Sequence, residues 1–270
     1  MAYKIQHLGL GGILDQAIAI TKDHFGLLFG IMLIVLIPYN LVTGLISVSM
    51  LPDTSFFPSA EDIAEMQAAQ ARYWPILAVF TFISLFVIFP LSNAAVIWAV
   101  ARVYLNQPVT ALGAVGHAFR RLLPLLGTTI LMYLAIIIGT ILCILPGILF
   151  TLWFGLSQHV VIIEGIAGVA ALKRSKKLVS PNLGTFLGLS LLLFVIFFAV
   201  GIGTAFIPQP HVQIVVQTLA QSVAMMISTA AGVVFYFSAR CAVENFDLHF
   251  LAESIGAAPP AVEDEASAAR

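Results

Sequence analysis

Apolar residues run through this chain in stretches far longer than a soluble helix needs. Residues 25–50, 74–100, 186–206 and 212–237 each read as one nearly unbroken apolar segment. Crossing a bilayer core of about 30 Å takes roughly 20 helical residues, since each rises about 1.5 Å. Each segment therefore predicts one transmembrane helix. A further block, residues 122–163, is too long for one crossing and suits two. Leu145, Pro146 and Gly147 interrupt it, and the pattern predicts the turn there, because proline cannot continue a helix and glycine suits a tight turn. Pro208 and Pro210 mark the turn between the last two segments. The expected architecture is an all-α membrane protein of about six transmembrane helices.

The polar stretches between these segments have a pattern of their own. GGILDQAIAITKDHFGLLFGIMLIVL, TALGAVGHAFRRLLPLLGTTILMYLA and GVAALKRSKKLVSPNLGTFLGLSLLL begin at Gly11, Thr110 and Gly168. Each opens with an amphipathic segment and then enters an apolar run near Gly26, Gly127 or Gly184. The repeating unit is read as an interfacial helix followed by a helical hairpin, three times over. The interfacial helices are expected to lie at the headgroups with their apolar side down. In register, the exits of the even spans read ARVYLNQ, HVVIIEG and ARCAVEN. This aligns Asn106, Glu164 and Glu244, and also Arg102 with Arg240. A lone carboxylate at the depth of Glu164 is costly. Glu164 is therefore expected to pair with Arg102 or Arg240.

Residues 51–73 form the only long loop on the other side. Ser59 and Asp62 resemble a capping box, so AEDIAEMQAAQAR predicts a short surface helix, solvated or partner-binding. Residues 1–255 are read as one polytopic domain. The tail, residues 256–270, is rich in alanine, proline and acids and is expected to be disordered.

Composition agrees with this pattern. The chain is 60% hydrophobic and only 9% charged, with a mean hydropathy of +1.04. A soluble domain carries about 25% charged residues, so the solvent here must be lipid. The net charge of −1 gives no bias toward nucleic acid. Cys143 and Cys241 lie in apolar runs and are expected to be buried thiols rather than a disulfide framework. MAYKIQHLGLGGILDQ lacks a signal peptide's apolar core and cleavage site, so the first span is expected to act as its own insertion signal.

Charge placement sets the orientation. Lys4, Lys22, Arg102, Arg120, Arg121, Lys173, Arg174, Lys176, Lys177 and Arg240 fall on one side of a six-span topology. Arg72 falls on the other, beside Asp53, Glu61, Asp62 and Glu65. The expected location is a bacterial inner membrane with both termini in the cytoplasm.

Candidate chemistry is sparse. No phosphate-binding loop, dinucleotide fingerprint or HExxH motif appears. His7, His24, His117, His159, His211 and His249 lack metal-ligand spacing. No catalytic residue, metal or cofactor is expected. His159 stands out by lying within span four, either bonded to a neighbouring helix or serving a proton or substrate. Asn40 follows Pro38 and Asn93 follows Pro90. Each asparagine can satisfy a carbonyl freed by its proline, or the two can mark a polar pathway. The cluster Lys173, Arg174, Lys176 and Lys177 follows from topology alone, or binds anionic headgroups.

Some of these segments are similar to a known group. LCILPGILFTLWFGLSQHVVIIEGIAGVAALKRSKKLV carries a Pro-Gly turn, a span ending in Glu-Gly and an Ala-Leu-x-Arg-Ser basic helix. With LGGILDQAIAITKDHFG and VVFYFSARCAVENFDL, it resembles the glycerophosphoryl diester phosphodiesterase membrane-domain group and its YciC-like relatives. The most specific parts are Pro146-Gly147, Glu164-Gly165 and Arg174-Ser175. The resemblance implies a multi-span bacterial inner-membrane domain, fused in some relatives to a phosphodiesterase. Nothing outside these spans is long enough to hold that catalytic domain, so the implied activity is not expected here.

The leading expectation is a non-enzymatic module that organises lipids or partner proteins. Its partners would be membrane lipids, anionic phospholipids among them, and a second copy of the chain or another membrane protein. The alternative is a small transporter or channel for an ion, lipid or amphiphile, built on Asn40, Asn93, His159 and Glu164.

Overall fold

The structure, a computed structural model, describes residues 3, 5–50 and 59–246. The expected disordered tail and the charges of Lys4 and Asp53 lie outside the described residues. Among the described residues all regular structure is helical. In chain order the helices are α1 (Leu10–Asp23), α2 (Phe25–Ile34), α3 (Leu36–Met50), α4 (Ala60–Ile83), α5 (Phe89–Tyr104), α6 (Ala111–Arg120) and α7 (Leu122–Leu142). They continue with α8 (Ile144–Phe154), α9 (Ser157–His159), α10 (Val169–Val179), α11 (Leu183–Ala205) and α12 (Pro210–Glu244). A π-helical turn, Ser84–Ile88, joins α4 to α5, and a second, Val160–Glu164, follows α9.

Among the described residues five stretches are long and apolar enough to cross a membrane: Ala71–Tyr104, Leu122–Leu142, Ile144–Glu164, Val169–Ala205 and Pro210–Glu244. The N-terminal helices together are long and apolar enough for a sixth. α1 meets α2 at 76°. We assign the crossing to α2 and α3, because residues 25–46 carry no charge, whereas α1 carries Asp15, Lys22 and Asp23. Only Val35 separates α2 from α3. The chain is therefore an all-α, multi-pass membrane protein.

Prolines account for three of the interruptions, although α4 runs through Pro75 unbroken. A proline cannot donate to the carbonyl four residues back, and its ring crowds that carbonyl. Four residues before Pro38 is Ile34, where α2 ends. Four before Pro90 is Phe86, inside the π-helical turn that slips the hydrogen-bond register. Four before Pro146 is Leu142, where α7 ends. The α7–α8 turn is thus at Cys143, in an extended conformation, and not at Pro146-Gly147 as expected. Pro146 sits in the first turn of α8, where a missing N–H costs little. Gly147 serves the packing of the hairpin: a Cβ there would collide with Thr140 Oγ1, and one at Gly139 would lie 2.7 Å from Phe150 Cδ2. Cys143 is exposed at this turn, contrary to the buried thiol expected, while Cys241 is buried.

The capping box at Ser59 and Asp62 forms in both directions, with distances of 2.8 and 3.1 Å. The N–H of Ser59 holds the Asp62 carboxyl below its usual range. The helix it starts is not a separate surface element. α4 continues through Pro75 toward the second crossing.

α12 is the axis of the bundle. Its 35 residues span about 52 Å, more than a bilayer core. It packs on α1, α3, α5 and α11, and Val233, Val234, Phe235, Tyr236 and Phe237 are buried. The short helices α1, α6 and α10 cover one end of the bundle. Part of each apolar face turns inward onto the protein, while Ile18 of α1, Leu112 and Phe119 of α6 and Val169 of α10 stay exposed on the other side. Ile13, Ala17 and Ile20 of α1, Ala114 and Ala118 of α6, and Leu172, Leu178 and Val179 of α10 are all buried. Core contact with α12, α5 and α8 removes apolar surface that headgroups would otherwise have to cover. The α-helical order, one short helix before each pair of crossings, runs through the chain three times.

Candidate functional site

Two polar clusters stand out, one at the end capped by α1, α6 and α10, the other inside the bundle. The first gathers Glu164, Arg174, Tyr236, Arg240 and Glu244. Glu164 closes the second π-helical turn, and Gly165 after it takes a left-handed φ of 74° that ends the helix. This delivers the carboxylate to α10, where Arg174 Nε donates to both its oxygens at 3.0 and 2.9 Å. The two terminal nitrogens of Arg174 donate to Glu244 at the end of α12, Nη2 at 3.0 Å. Arg240, one turn earlier, donates to Glu244 at 3.1 Å. The Tyr236 hydroxyl donates to Glu164. Two carboxylates and two guanidiniums cancel, and their side chains keep only 13–25% of their surface exposed. The cluster clamps α10 to the ends of two crossings.

This overturns the expected partner of Glu164, which is Arg174 and neither Arg102 nor Arg240. Arg102 instead donates to the Pro108 carbonyl at 3.4 Å and lies 5.4 Å from the Trp98 ring. Arg174 also leaves the expected set of lipid-facing cations, because its guanidinium is engaged inside the protein. Lys173, Lys176 and Lys177 remain exposed. Lys176 Nζ sits 4.0 Å over the ring of Trp153, a cation–π contact. Ser175 faces inward, accepting from Leu156 N–H at 3.1 Å and donating to the Trp153 carbonyl at 2.6 Å. It bridges the break between α8 and α9.

His117 of α6 stacks on Trp98 with ring centroids 3.7 Å apart. Burial holds its pKa below the usual histidine value, and the cations Arg121, Arg120 and Arg102 add to this against a backbone hydrogen bond at Ile162.

The second cluster is centred on Asn93 of α5. Its side-chain N–H donates to Gln158 Oε1 at 2.6 Å, and its oxygen accepts from Thr229 Oγ1 of α12 at 2.8 Å. One asparagine thus ties three helices together. Next to it, His159 is 6% exposed, and neither ring nitrogen has a hydrogen-bond partner among the described residues. Gly232 makes room for the imidazole: a Cβ there would stand 2.7 Å from Nε2. Two cavities adjoin the cluster. One of about 240 Å³ is bounded by Asn93, His159, Ser190, Ser228 and Thr229. The other, about 290 Å³, shares Asn93, Ser228 and Thr229 and adds Tyr133 and Gln158.

Asn40 does not join this group. It lines neither cavity, and across the gap between α3 and α4 it is Tyr39 that donates to the Phe80 carbonyl. Glu164 belongs to the ionic cluster. The proposed pathway of Asn40, Asn93, His159 and Glu164 therefore divides. Gln158, Thr229, Ser228 and Gly232 were not singled out in the sequence. The run Ser228-Thr229-Ala230-Ala231-Gly232 was the available signal, since small residues mark close helix contact in membranes. Which side of α12 meets Asn93 depends on how that helix is rotated.

No family model, curated protein or solved structure matches the chain.

Proposed function

We propose that this protein is a non-enzymatic membrane module that gathers anionic lipids around its capped end. The observation that carries this reading is the sorting of charges on α10. Arg174 turns inward to Glu164 and Glu244, while Lys173, Lys176 and Lys177 stand exposed along the same helix. An exposed lysine near an anionic surface contributes about 1 kcal/mol. Trp153 beneath Lys176 suits the headgroup level, where tryptophan is enriched.

Placing this end in the cytoplasm of a bacterial inner membrane follows the basic bias of its loops. A threefold repeat of short helix and hairpin belongs to the same reading. It is supported by the element order and by left-handed residues near the ends of three crossings, Asn106, Gly165 and Asn245. The resemblance to the phosphodiesterase membrane-domain group is consistent with it, since Glu164, Gly165, Arg174 and Ser175 all have structural roles here. A second copy of the chain or another membrane protein remains a proposed partner.

Native mass spectrometry from phosphatidylglycerol-containing nanodiscs tests the lipid reading. Replacing Lys173, Lys176 and Lys177 together with alanine is expected to reduce retained phosphatidylglycerol relative to phosphatidylethanolamine. Equal retention in the wild-type and triple variant would sink the proposal. The cavities beside Asn93 and His159 favour the second reading, a small transporter. Solute flux in proteoliposomes that disappears in a His159→Phe variant would favour it over the module.

A further inference from the structure

The two cavities meet at Asn93, Ser228 and Thr229. Together they form a chamber walled by α5, α7, α9, α11 and α12 and by the π-helical turn before α5. Its polar groups lie deep in the bundle. Thr229 is 15 residues before the end of α12, and Asn93 is 11 before the end of α5. At about 1.5 Å per residue these are about 22 and 16 Å from the basic end, well inside a core of about 30 Å. Gln158 and the Tyr133 ring also line it, and the rest of the wall is apolar, including Leu85, Phe89, Phe186, Leu189, Leu193 and Phe197. On the α11 side the wall is thin. Among its 23 residues only Phe186, Leu189 and Thr204 are buried, so the chamber lies one lightly packed helix away from the bilayer.

The chemistry of this chamber is specific in two ways. Among the described residues no charged side chain lines either cavity. An ionised headgroup at this depth would meet no counter-ion, and burying an unpaired charge is prohibitive. Yet His159 is buried, with both ring nitrogens unpartnered among the described residues. An uncharged imidazole has one donor and one acceptor, and leaving both unmet in the interior is costly. A hydroxyl satisfies either nitrogen, and the Ser190 and Ser228 hydroxyls lie around the same space.

We propose that this chamber binds a neutral, hydroxyl-bearing lipid, with its hydroxyl on His159 and its hydrocarbon chain passing beside α11 into the bilayer. Such a molecule can reach the middle of a membrane without carrying charge there, which a phospholipid headgroup cannot. The site is independent of the lysines on α10, so either proposal can fail alone.

The test is photolabelling in phosphatidylcholine liposomes with a monoacylglycerol that carries a diazirine in its chain. Label is expected on α11 and on α12 near Ser228. Oleyl alcohol should compete for it, whereas ionised oleate and dioleoyl phosphatidylglycerol should not. Ser190→Trp fills the chamber from α11, and His159→Phe removes both nitrogens. Each is expected to lower this label about fivefold or more, the loss of one hydrogen bond of about 1 kcal/mol, with the label on the outer face of α7 unchanged. The competition series on the wild-type protein decides the matter if a variant does not fold. Label spread evenly over all lipid-facing helices, undiminished label in Ser190→Trp, or equal competition by oleate would each overturn the proposal. Label that persists in the triple lysine variant supports it, and label lost with those lysines contradicts it.

Discussion

Arg174→Met tests the account of the ionic cluster most directly. Methionine keeps much of the arginine stem's packing and removes only the charged head. The variant leaves Glu164 with the Tyr236 hydroxyl alone and Glu244 with Arg240 alone. Removing one partner of a fully buried pair costs about 3–5 kcal/mol. Here the Glu164 and Glu244 side chains keep 13% and 25% of their surface. Solvent screening at that exposure lowers the expectation to about 2–3 kcal/mol. Equilibrium unfolding by sodium dodecyl sulfate in mixed micelles measures the loss. Hydrogen exchange over residues 169–179 locates it, since α10 should open before the crossings do. Lys173→Met, one residue away and exposed, should stay within about 0.5 kcal/mol of wild type. A double-mutant cycle with Glu164→Gln should show a coupling of about 1–2 kcal/mol. If Arg174→Met and Lys173→Met were equally harmless, the clamp would not exist and the basic helix would be a uniform surface.

Three further variants probe the rest of the structure. Asn93→Leu should destabilise by about 1 kcal/mol in the same assay, because it strands Gln158 and Thr229; a neutral result would mean that the two partners find each other or water. Gly147→Val should cost about 1–3 kcal/mol by forcing α7 and α8 apart at Thr140, a spreading that cross-linking between the two helices would detect. His117 sets a pH dependence. Its depressed pKa means that the folded form prefers the neutral ring, so stability is full above the ordinary histidine value of about 6.5 and falls as pH drops below it. Protection against hydrogen exchange over residues 111–120, taken relative to the intrinsic exchange rate at each pH, should therefore fall at mildly acidic pH, and His117→Gln should remove that pH dependence.

Much of the architecture is legible in one dimension because the bilayer imposes a one-dimensional requirement. A crossing needs some 20 apolar residues, whatever surrounds it. Hence the crossings, the break within residues 122–163 and the capping box at Ser59 all follow from local chemistry. Breaks caused by proline are nearly as local, but they fall four residues upstream of it, as at Leu142 and Ile34, and not on it, and Pro75 within α4 causes none. Partner choice is another matter. Glu164 and Arg174 are ten positions apart, with a left-handed Gly165 between them, and only the return of the chain through that residue brings the guanidinium to the carboxylate. The rotation of α12 likewise decides that Thr229 meets Asn93 and that Gly232 meets His159. Amphipathicity shows that α1, α6 and α10 each have an apolar face, but not whether protein or lipid covers it. Hydropathy sums along the chain, so sequence alone determines a multi-pass helical protein. Hydrogen bonds and ion pairs depend on which faces meet, and only the tertiary structure decides those.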